Sequence, residues 1–332
     1  MAGGLFLFPG PPYFKGGKAK VRVLIAGGAG DVGGFLVKDF SRRGYWVGVL
    51  DRAEGMAAGK EGFPAVYYRG TLADRDLVRE AVRGVEVVIN LAWSFADDAR
   101  TIFAEDLQGH INLLEEARAA GVRSFLYTST AAVYGRVVGR PVTEDHPCLV
   151  EEARKPLYAL GKYTAERLCL WYWRAQGLPV TVFRFWWAFG DRIGGRHLRD
   201  LVRKALENQP LEMVSGAGGT FVALDDLAEA MKLALGNPQA AGQIYNIGSI
   251  FLTWEEIGAM IIDLCGSRSP LNLKLAEQWH GPSFLKEVWD LGWDKAAQEL
   301  GYRPRRLRGE ARAMFIQALR NTIEEWRRQG SY

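Results

Sequence analysis

Tyr158 and Lys162 lie four residues apart in Tyr158-Ala159-Leu160-Gly161-Lys162, a spacing that on a helix puts both side chains on one face. A lysine ammonium beside a phenol favours the phenolate and lowers the tyrosine pKa from about 10 toward working pH. That pair makes a general acid/base for alcohol–ketone interconversion. A tyrosine and a lysine fall four apart by accident in many chains, so the context decides. Upstream, Phe125-Leu126-Tyr127-Thr128-Ser129-Thr130 is an apolar run ending in hydroxyls, and a hydroxyl at such a strand end can hold a substrate oxygen beside the phenol. The alternative role for Ser129 or Thr130 is to cap the next turn.

A second constellation follows the first apolar run. Val21–Ala26 leads into Gly27-Gly28-Ala29-Gly30-Asp31-Val32-Gly33, with glycines spaced G-x-x-G-x-x-G. Glycine permits the tight turn, lets a pyrophosphate approach the backbone and lets helix pack closely on strand, while the helix start offers free N–H groups and a positive dipole. Asp51 ends the next strand about 20 residues on, where a carboxylate accepts the adenosine ribose hydroxyls. Its alternative role is to cap a following helix. The cluster points to a dinucleotide, and because a carboxylate repels a 2′-phosphate the cofactor is expected to be NAD rather than NADP, with adjacent Arg52 partly offsetting that repulsion. Gly27, Gly30, Asp31, Val32, Gly33, Asp51 and Arg52 are the cofactor contacts expected here.

These groups need a frame. From Val21, short apolar runs alternate with segments of helical period: strands at Val21–Ala26, Trp46–Leu50, Ala65–Tyr68, Val85–Leu91, Phe125–Thr128 and Val180–Phe185, helices near Val32–Arg43, Asp74–Val82, Asp98–Ala120 and Tyr158–Gln176. Such alternation implies an α/β fold, a doubly wound parallel sheet. Beyond Phe189 the rhythm loosens, with strands near Leu211–Val214 and Ile244–Ile247 and helices near Asp225–Leu235, Thr253–Cys265 and Arg308–Arg328. The expected organisation is an N-terminal arm (1–20), a dinucleotide-binding domain carrying the catalytic groups (21–190), and a smaller α/β substrate lobe (191–332) from which some segments return to the first domain.

Composition narrows the class further. The 332 residues are 48% hydrophobic and 24% charged, with a formal net charge of +4, enough to build a core and too little to mark a nucleic-acid binder. Cys148, Cys169 and Cys265, odd in number and widely spaced, suggest a reducing compartment and hence the cytoplasm. No apolar run approaches the roughly 20 residues of a bilayer crossing. His110, His146, His197 and His280 lack metal-ligand spacing, so no metal is expected. Asp225-Asp226 opens a helix and is read as its cap.

Taken together, the chain from about Lys20 to Arg328 resembles the extended short-chain dehydrogenases/reductases, in particular the branch of NAD-dependent sugar-nucleotide epimerases and dehydratases. The motifs that carry the resemblance are IAGGAGDVGG, NLAW at Asn90–Trp93, YTSTAAVYG at Tyr127–Gly135, YALGK at Tyr158–Lys162, RFWWAFG at Arg184–Gly190, LDDLAEA at Leu224–Ala230, YNIGS at Tyr245–Ser249 and DKAAQELGYRP at Asp294–Pro304. The resemblance implies that Tyr158 is the acid/base, that Lys162 binds the nicotinamide ribose and tunes it, and that Thr130 completes the catalytic set. It also implies that Leu91, Ala92 and Thr128 contact the cofactor, with Asn90 beside it, and that Trp93, Thr130, Trp186, Trp187 and Arg192 face a sugar-nucleotide substrate.

The departures matter as much. Dehydrating and decarboxylating relatives usually place an acid just after the catalytic threonine, where this chain has Ala131 and Ala132. Sugar-nucleotide relatives tend to grip the diphosphate with an asparagine where Trp187 stands and with an arginine at Gly219, so Arg192, Arg196 or Arg199 would have to substitute. An NAD-dependent epimerase or oxidoreductase is therefore expected. A dehydrogenase of an unactivated sugar, sugar acid or small alcohol is the alternative, and a non-catalytic dinucleotide sensor the rival from another class. Trp171-Tyr172-Trp173, on the helix of Tyr158, suggests a homodimer contact.

Overall fold

A computed structural model of the chain describes residues 21–52, 65–304 and 308–329; the expected arm at 1–20 lies outside the described residues. The first half runs β1 (Arg22–Ala26), α1 (Asp31–Arg42), β2 (Trp46–Asp51), β3 (Ala65–Arg69), α2 (Arg75–Ala81), β4 (Val87–Asn90), α3 (Gln108–Ala119), β5 (Ser124–Thr128), α4 (Pro156–Gln176) and β6 (Val180–Arg184). The second half continues β7 (Trp187–Phe189), α5 (Arg196–Leu206), β8 (Leu211–Val214), β9 (Gly218–Ala223), α6 (Leu224–Ala234), β10 (Gln243–Asn246), β11 (Ile250–Thr253), α7 (Trp254–Cys265), β12 (Leu271–Lys274), β13 (Val288–Trp289), α8 (Asp294–Leu300) and α9 (Arg308–Gln329).

The main sheet has the order β10-β6-β5-β4-β1-β2-β3, parallel at every pairing. Its strands are apolar on both faces, as strands covered on two sides must be. Val23 and Ile25 of β1 pack with Leu36, Val37 and Phe40 of α1 and Leu227 and Met231 of α6, whereas Leu24 and Ala26 join the core of Leu113, Leu114, Ala165 and Cys169 from α3 and α4. This is the doubly wound architecture expected from the sequence. The order reverses between β1 and β4, which opens a crevice at the carboxyl ends of those strands.

The second half builds a separate core on β9, which pairs with β7, β11 and β13, while β10 returns to the main sheet beside β6. Here the structure exceeds what the sequence suggested. Helix α5 buries Leu198, Leu201, Val202 and Ala205, a full apolar stripe at helical spacing. Strand β9, not anticipated from the sequence, opens with Gly218 and Gly219. Helix α6 starts as expected near Asp225, but the cap position belongs to Ala223 without a side-chain bond, and buried Asp226 accepts from Ser249 Oγ at 2.5 Å.

One polar contact ties the middle of the sheet to α4. Arg184, at the end of β6, donates to both carboxylate oxygens of Glu166, Nε at 2.9 Å and Nη2 at 2.6 Å, with both side chains out of water. Removing one partner strands a buried charge, so Glu166→Ala should destabilise by about 3–5 kcal/mol, while the paired change Glu166→Met/Arg184→Met should recover most of that loss. Urea unfolding of the two variants measures both; equal losses would mean that the ion pair itself stabilises the fold.

Candidate active site

Helix α4 starts with Pro156 at its first turn, a position that lacks an N–H requirement, and it packs its Tyr158–Lys162 turn against the end of β5. Gly161, between the two functional residues, lies so close to Ile102 and Trp93 that a methyl group there would press both. Lys162 is buried, and its Nζ donates to the Thr128 carbonyl at 2.9 Å. The ammonium also lies over the Trp93 and Tyr127 rings, 4.5 and 4.9 Å from their centroids. Burial drags its pKa down to about 7, against the opposing pull of Asp106 and Glu166.

Tyr158 stands one turn earlier, with its phenol close enough to the Thr130 hydroxyl to feel it. Burial raises its pKa above the ordinary value, the Thr130 hydroxyl lowers it and the Asp106 carboxylate raises it. The expectation that Lys162 draws the phenol down toward neutrality is corrected here. The lysine directs its proton to Thr128 and its charge to two rings, and desolvation governs both groups. Of the two roles considered for Thr130 the structure shows the cap: its Oγ1 accepts from the Ala132 N–H at 3.1 Å at the start of the short helical turn Ala131–Tyr134.

Beside this turn a cleft of about 510 Å³ runs along the carboxyl ends of β1, β2 and β4, lined by Gly27, Gly30, Asp51, Arg52, Leu91, Ala92 and Trp93. Gly27 has φ +82° and sits against the backbone of Ala92, and a side chain on Gly33 would collide with the Gly27 carbonyl. Asp51 Oδ2 accepts from the Ala29 N–H at 2.9 Å, which fixes the carboxylate against the glycine loop. Asp31 is exposed in the first turn of α1, and neither it, Val32 nor Gly33 lines the cleft. Arg52 reaches Glu105 at 3.7 Å on the surface. Asn90 is wholly buried; its Oδ1 accepts from the Ala92 N–H at 3.0 Å and its amide meets His110 Nδ1 at 2.9 Å. It positions the cleft wall from beneath, over a histidine kept neutral by burial, with a pKa down to about 3.

Several cleft residues gave no signal in the sequence. A π turn, Thr101–Leu107, precedes α3 where a regular helix was expected, and it brings Glu105 and Asp106 to the cleft. Asp106 accepts from the Ser94 N–H at 3.0 Å and the Ser94 hydroxyl at 2.6 Å. Phe95 lines the same wall. Where the second half begins, Trp186 stacks on Trp187 with centroids 4.8 Å apart, and any side chain on Gly219 would run into the Trp186 ring. Arg192 pairs with Glu325 of α9 at 2.8 Å. No group of three or more His, Cys, Asp or Glu among the described residues is placed to hold a metal ion, and no helix among them is long and apolar enough to cross a membrane.

A family model, NAD dependent epimerase/dehydratase family, matches residues 23–248. The chain belongs to that family. Among its relatives, UDP-glucuronic acid decarboxylase 1 of Arabidopsis thaliana is 26% identical over 324 residues, 92% of this chain and 72% of that protein. A dTDP-glucose 4,6-dehydratase from Streptomyces venezuelae, solved with NAD bound, superposes with TM-score 0.73 at 26% identity, covering 93% of this chain and 97% of that one. The UDP-glucose 4-epimerase of Thermus thermophilus in complex with NAD gives TM-score 0.70 at 26% identity, covering 92% and 99%.

Membership makes the protein an NAD-dependent enzyme, and the cleft fits that cofactor. The glycine cradle leaves no room for side chains at Gly27 and Gly33, the α1 N-terminus opens beside it, and the Asp51 carboxylate stands at the end of β2. NAD supplies a hydride acceptor when bound. The protein's own groups then handle protons and orientation: a phenol beside a threonine hydroxyl can take the proton of a substrate alcohol, and Lys162 anchors the α4 turn to β5.

The desolvated lysine has a consequence for stability. The unfolded chain keeps the Lys162 proton to about pH 10.4, whereas the folded protein releases it near 7. Between those values the unfolded state binds more protons, so this group makes stability rise with pH. In the cofactor-free protein the stability advantage of Lys162→Met over wild type should therefore shrink from pH 7 to pH 10, by up to about 1.4 kcal/mol per unit. Urea unfolding across that range checks it, and a constant difference would rule out the depressed pKa.

Proposed function

We propose that this protein moves a hydride between NAD and a hydroxyl-bearing carbon of a sugar nucleotide or related sugar, as an epimerase or oxidoreductase, with Tyr158 as the acid/base. The observation that carries this reading is the meeting of Tyr158 and Thr130 beside a buried Lys162 anchored on Thr128. In this reading Thr130 holds the substrate oxygen and Tyr158 takes its proton as the hydride leaves. An epimerase then returns the hydride to the other face of the same carbon, whereas a dehydrogenase releases the reduced cofactor. Ala131 and Ala132, whose methyl groups exchange no proton, favour these outcomes over elimination or decarboxylation.

The lobe after residue 190 supplies the substrate wall in this reading, through Trp186 and Trp187 at its junction. A second reading, an unactivated sugar, sugar acid or small alcohol, is favoured by one contact: the Trp186 ring fills the space that an arginine at Gly219 would need. Half-exposed Trp171 on α4 supports a homodimer through that helix, and three free cysteines support a cytoplasmic setting.

Calorimetric titration of UDP-, GDP- and dTDP-sugars with NAD present separates the two substrate readings; binding of none of them moves the assignment to the unactivated alcohol. On whichever compound is turned over, Tyr158→Phe should lower turnover by roughly 100-fold or more while NAD binding stays intact, because only the proton-transfer oxygen is deleted. Undiminished turnover would remove Tyr158 from the chemistry.

A further inference from the structure

The segment from Leu91 to Asp97 crosses the start of α4 and is tied down on both sides. Lys155 Nζ donates to the Phe95 carbonyl at 2.8 Å, and the Tyr158 N–H donates to Asp97 Oδ1 at 3.1 Å. Toward the π turn, Ser94 is gripped by Asp106, and the Ser94 hydroxyl accepts from the Ala96 N–H at 3.2 Å. Held this way, the segment sets one aromatic ring on each of the two functional side chains of α4. Trp93 covers the Lys162 ammonium, and Phe95 stacks on Tyr158 with centroids 5.7 Å apart and planes 16° from parallel.

Phe95 is an unfavourable choice by every local criterion. Its backbone φ is +57°, in the left-handed region that a bulky L-residue adopts only under constraint. Its side chain is 66% exposed, so burial contributes little for a large apolar ring. Glycine or asparagine would suit the backbone, and a polar group would suit the exposure. What the phenylalanine does have is position: it forms a wall of the cofactor cleft and lies face to face with the phenol.

We propose that Phe95 is a positioning and specificity-determining residue, which holds the Tyr158 ring toward Thr130 and offers beside it an apolar wall for the carbon face of the substrate. This rests on the reading of Tyr158 as the acid/base. It narrows the substrate to compounds that present a C–H face next to the reacting hydroxyl, as a pyranose ring does, and disfavours a charged group at that place. The ring also excludes water from the phenol, which is in the sense of the burial that raises the Tyr158 pKa. The charged group that acts on that phenol is Asp106 of the π turn; Lys162 lies one turn along α4, and Asp97 and Lys155 hold backbone groups at the helix start and the loop.

The test uses the full chain saturated with NAD and the variants Phe95→Gly, Phe95→Leu and Phe95→Tyr. Phe95→Gly relieves the left-handed backbone, so its melting temperature should equal or exceed that of wild type; a lower one would show that the ring is a structural prop and overturn the proposal. An ultraviolet titration of Tyr158, isolated by subtracting matched proteins that carry Tyr158→Phe, needs no substrate. In Phe95→Gly the phenol should ionise about one pH unit lower, and in Phe95→Tyr near its wild-type value; an unshifted phenol in the glycine variant overturns the positioning role. With UDP-glucose and D-glucose as probes, whichever wild type turns over should show kcat/KM reduced about ten-fold or more in Phe95→Gly, chiefly through KM, with recovery in Phe95→Tyr and partial recovery in Phe95→Leu. Unchanged KM on a probe that wild type turns over overturns the specificity role. Failure of wild type on both probes counts against the sugar reading under Proposed function, and the titration still decides the positioning role.

Discussion

A positive charge is kept out of water between β5 and α4, and the centre of the molecule is arranged around it. A bare ammonium in an apolar interior costs far more than a few kcal/mol. Lys162 meets that cost with one carbonyl, two aromatic faces, the more distant carboxylates Asp106 and Glu166, and a pKa lowered to about 7. The surroundings follow from this. His110, which feels the same charge, stays neutral and serves as a hydrogen-bonding spacer between Asn90 and the Ala165 carbonyl. Because Asn90 Oδ1 is taken by the Ala92 N–H, its NH2 group must face His110 Nδ1, which leaves the ring proton on Nε2. One buried lysine thus bears on the helix, the strand end and the floor of the cofactor cleft.

The second constraint is closeness. Where β1 turns into α1, the backbone folds back so tightly that Gly33 lies under the Gly27 carbonyl and Gly27 against Ala92. Backbone, not side chains, therefore walls that part of the cleft, and the Asp51 carboxylate locks the turn through Ala29. The N–H groups offered to a pyrophosphate there have positions that the packing has already set. Preorganisation of this kind lowers the ordering cost of binding.

The main sheet was readable because each strand is a short apolar run and each intervening helix keeps its period; the expected strands at Trp46–Leu50 and Phe125–Thr128 differ from β2 and β5 by a residue at one end. The glycine loop, Asp51 and the Tyr158–Lys162 spacing were readable as patterns because each is a feature of local sequence, and the structure gathers Gly27, Gly30 and Asp51 at one cleft. The second half was less so. Strand β9 begins with two glycines whose reason is tertiary: Gly218 lies against the Leu252 carbonyl and Gly219 under the Trp186 ring. The stripe of α5 was present in the sequence, at Leu198, Leu201, Val202 and Ala205, but hidden among arginines. Phe95 and Asp106 could not be found from sequence, since the positive φ and the π turn stand among contacts between residues well separated in the chain, Lys155 with Phe95, Tyr158 with Asp97 and Ser94 with Asp106.

The same distinction between local and tertiary causes bears on the substrate. In the sequence, the loss of an asparagine at Trp187 and of an arginine at Gly219 looks like two separate departures. The structure makes them one. Trp186 lies over Gly219 and stacks on Trp187, and the pair packs against Phe221 and Trp254 within the core of the second lobe. An arginine restored at position 219 would have to evict an indole held by several rings, and Thr220 beside it is buried, accepting from the Leu291 N–H at 3.1 Å. His197 at the same cluster is driven down to about 4 by burial and so brings no charge at neutral pH. This aromatic floor itself offers a diphosphate no charge. Cations around it include Arg154, whose guanidinium lies 4.7 Å over the Phe284 ring of the same cluster, and the exposed Arg196 and Arg199 of α5, so the floor suits an apolar face better than a charge.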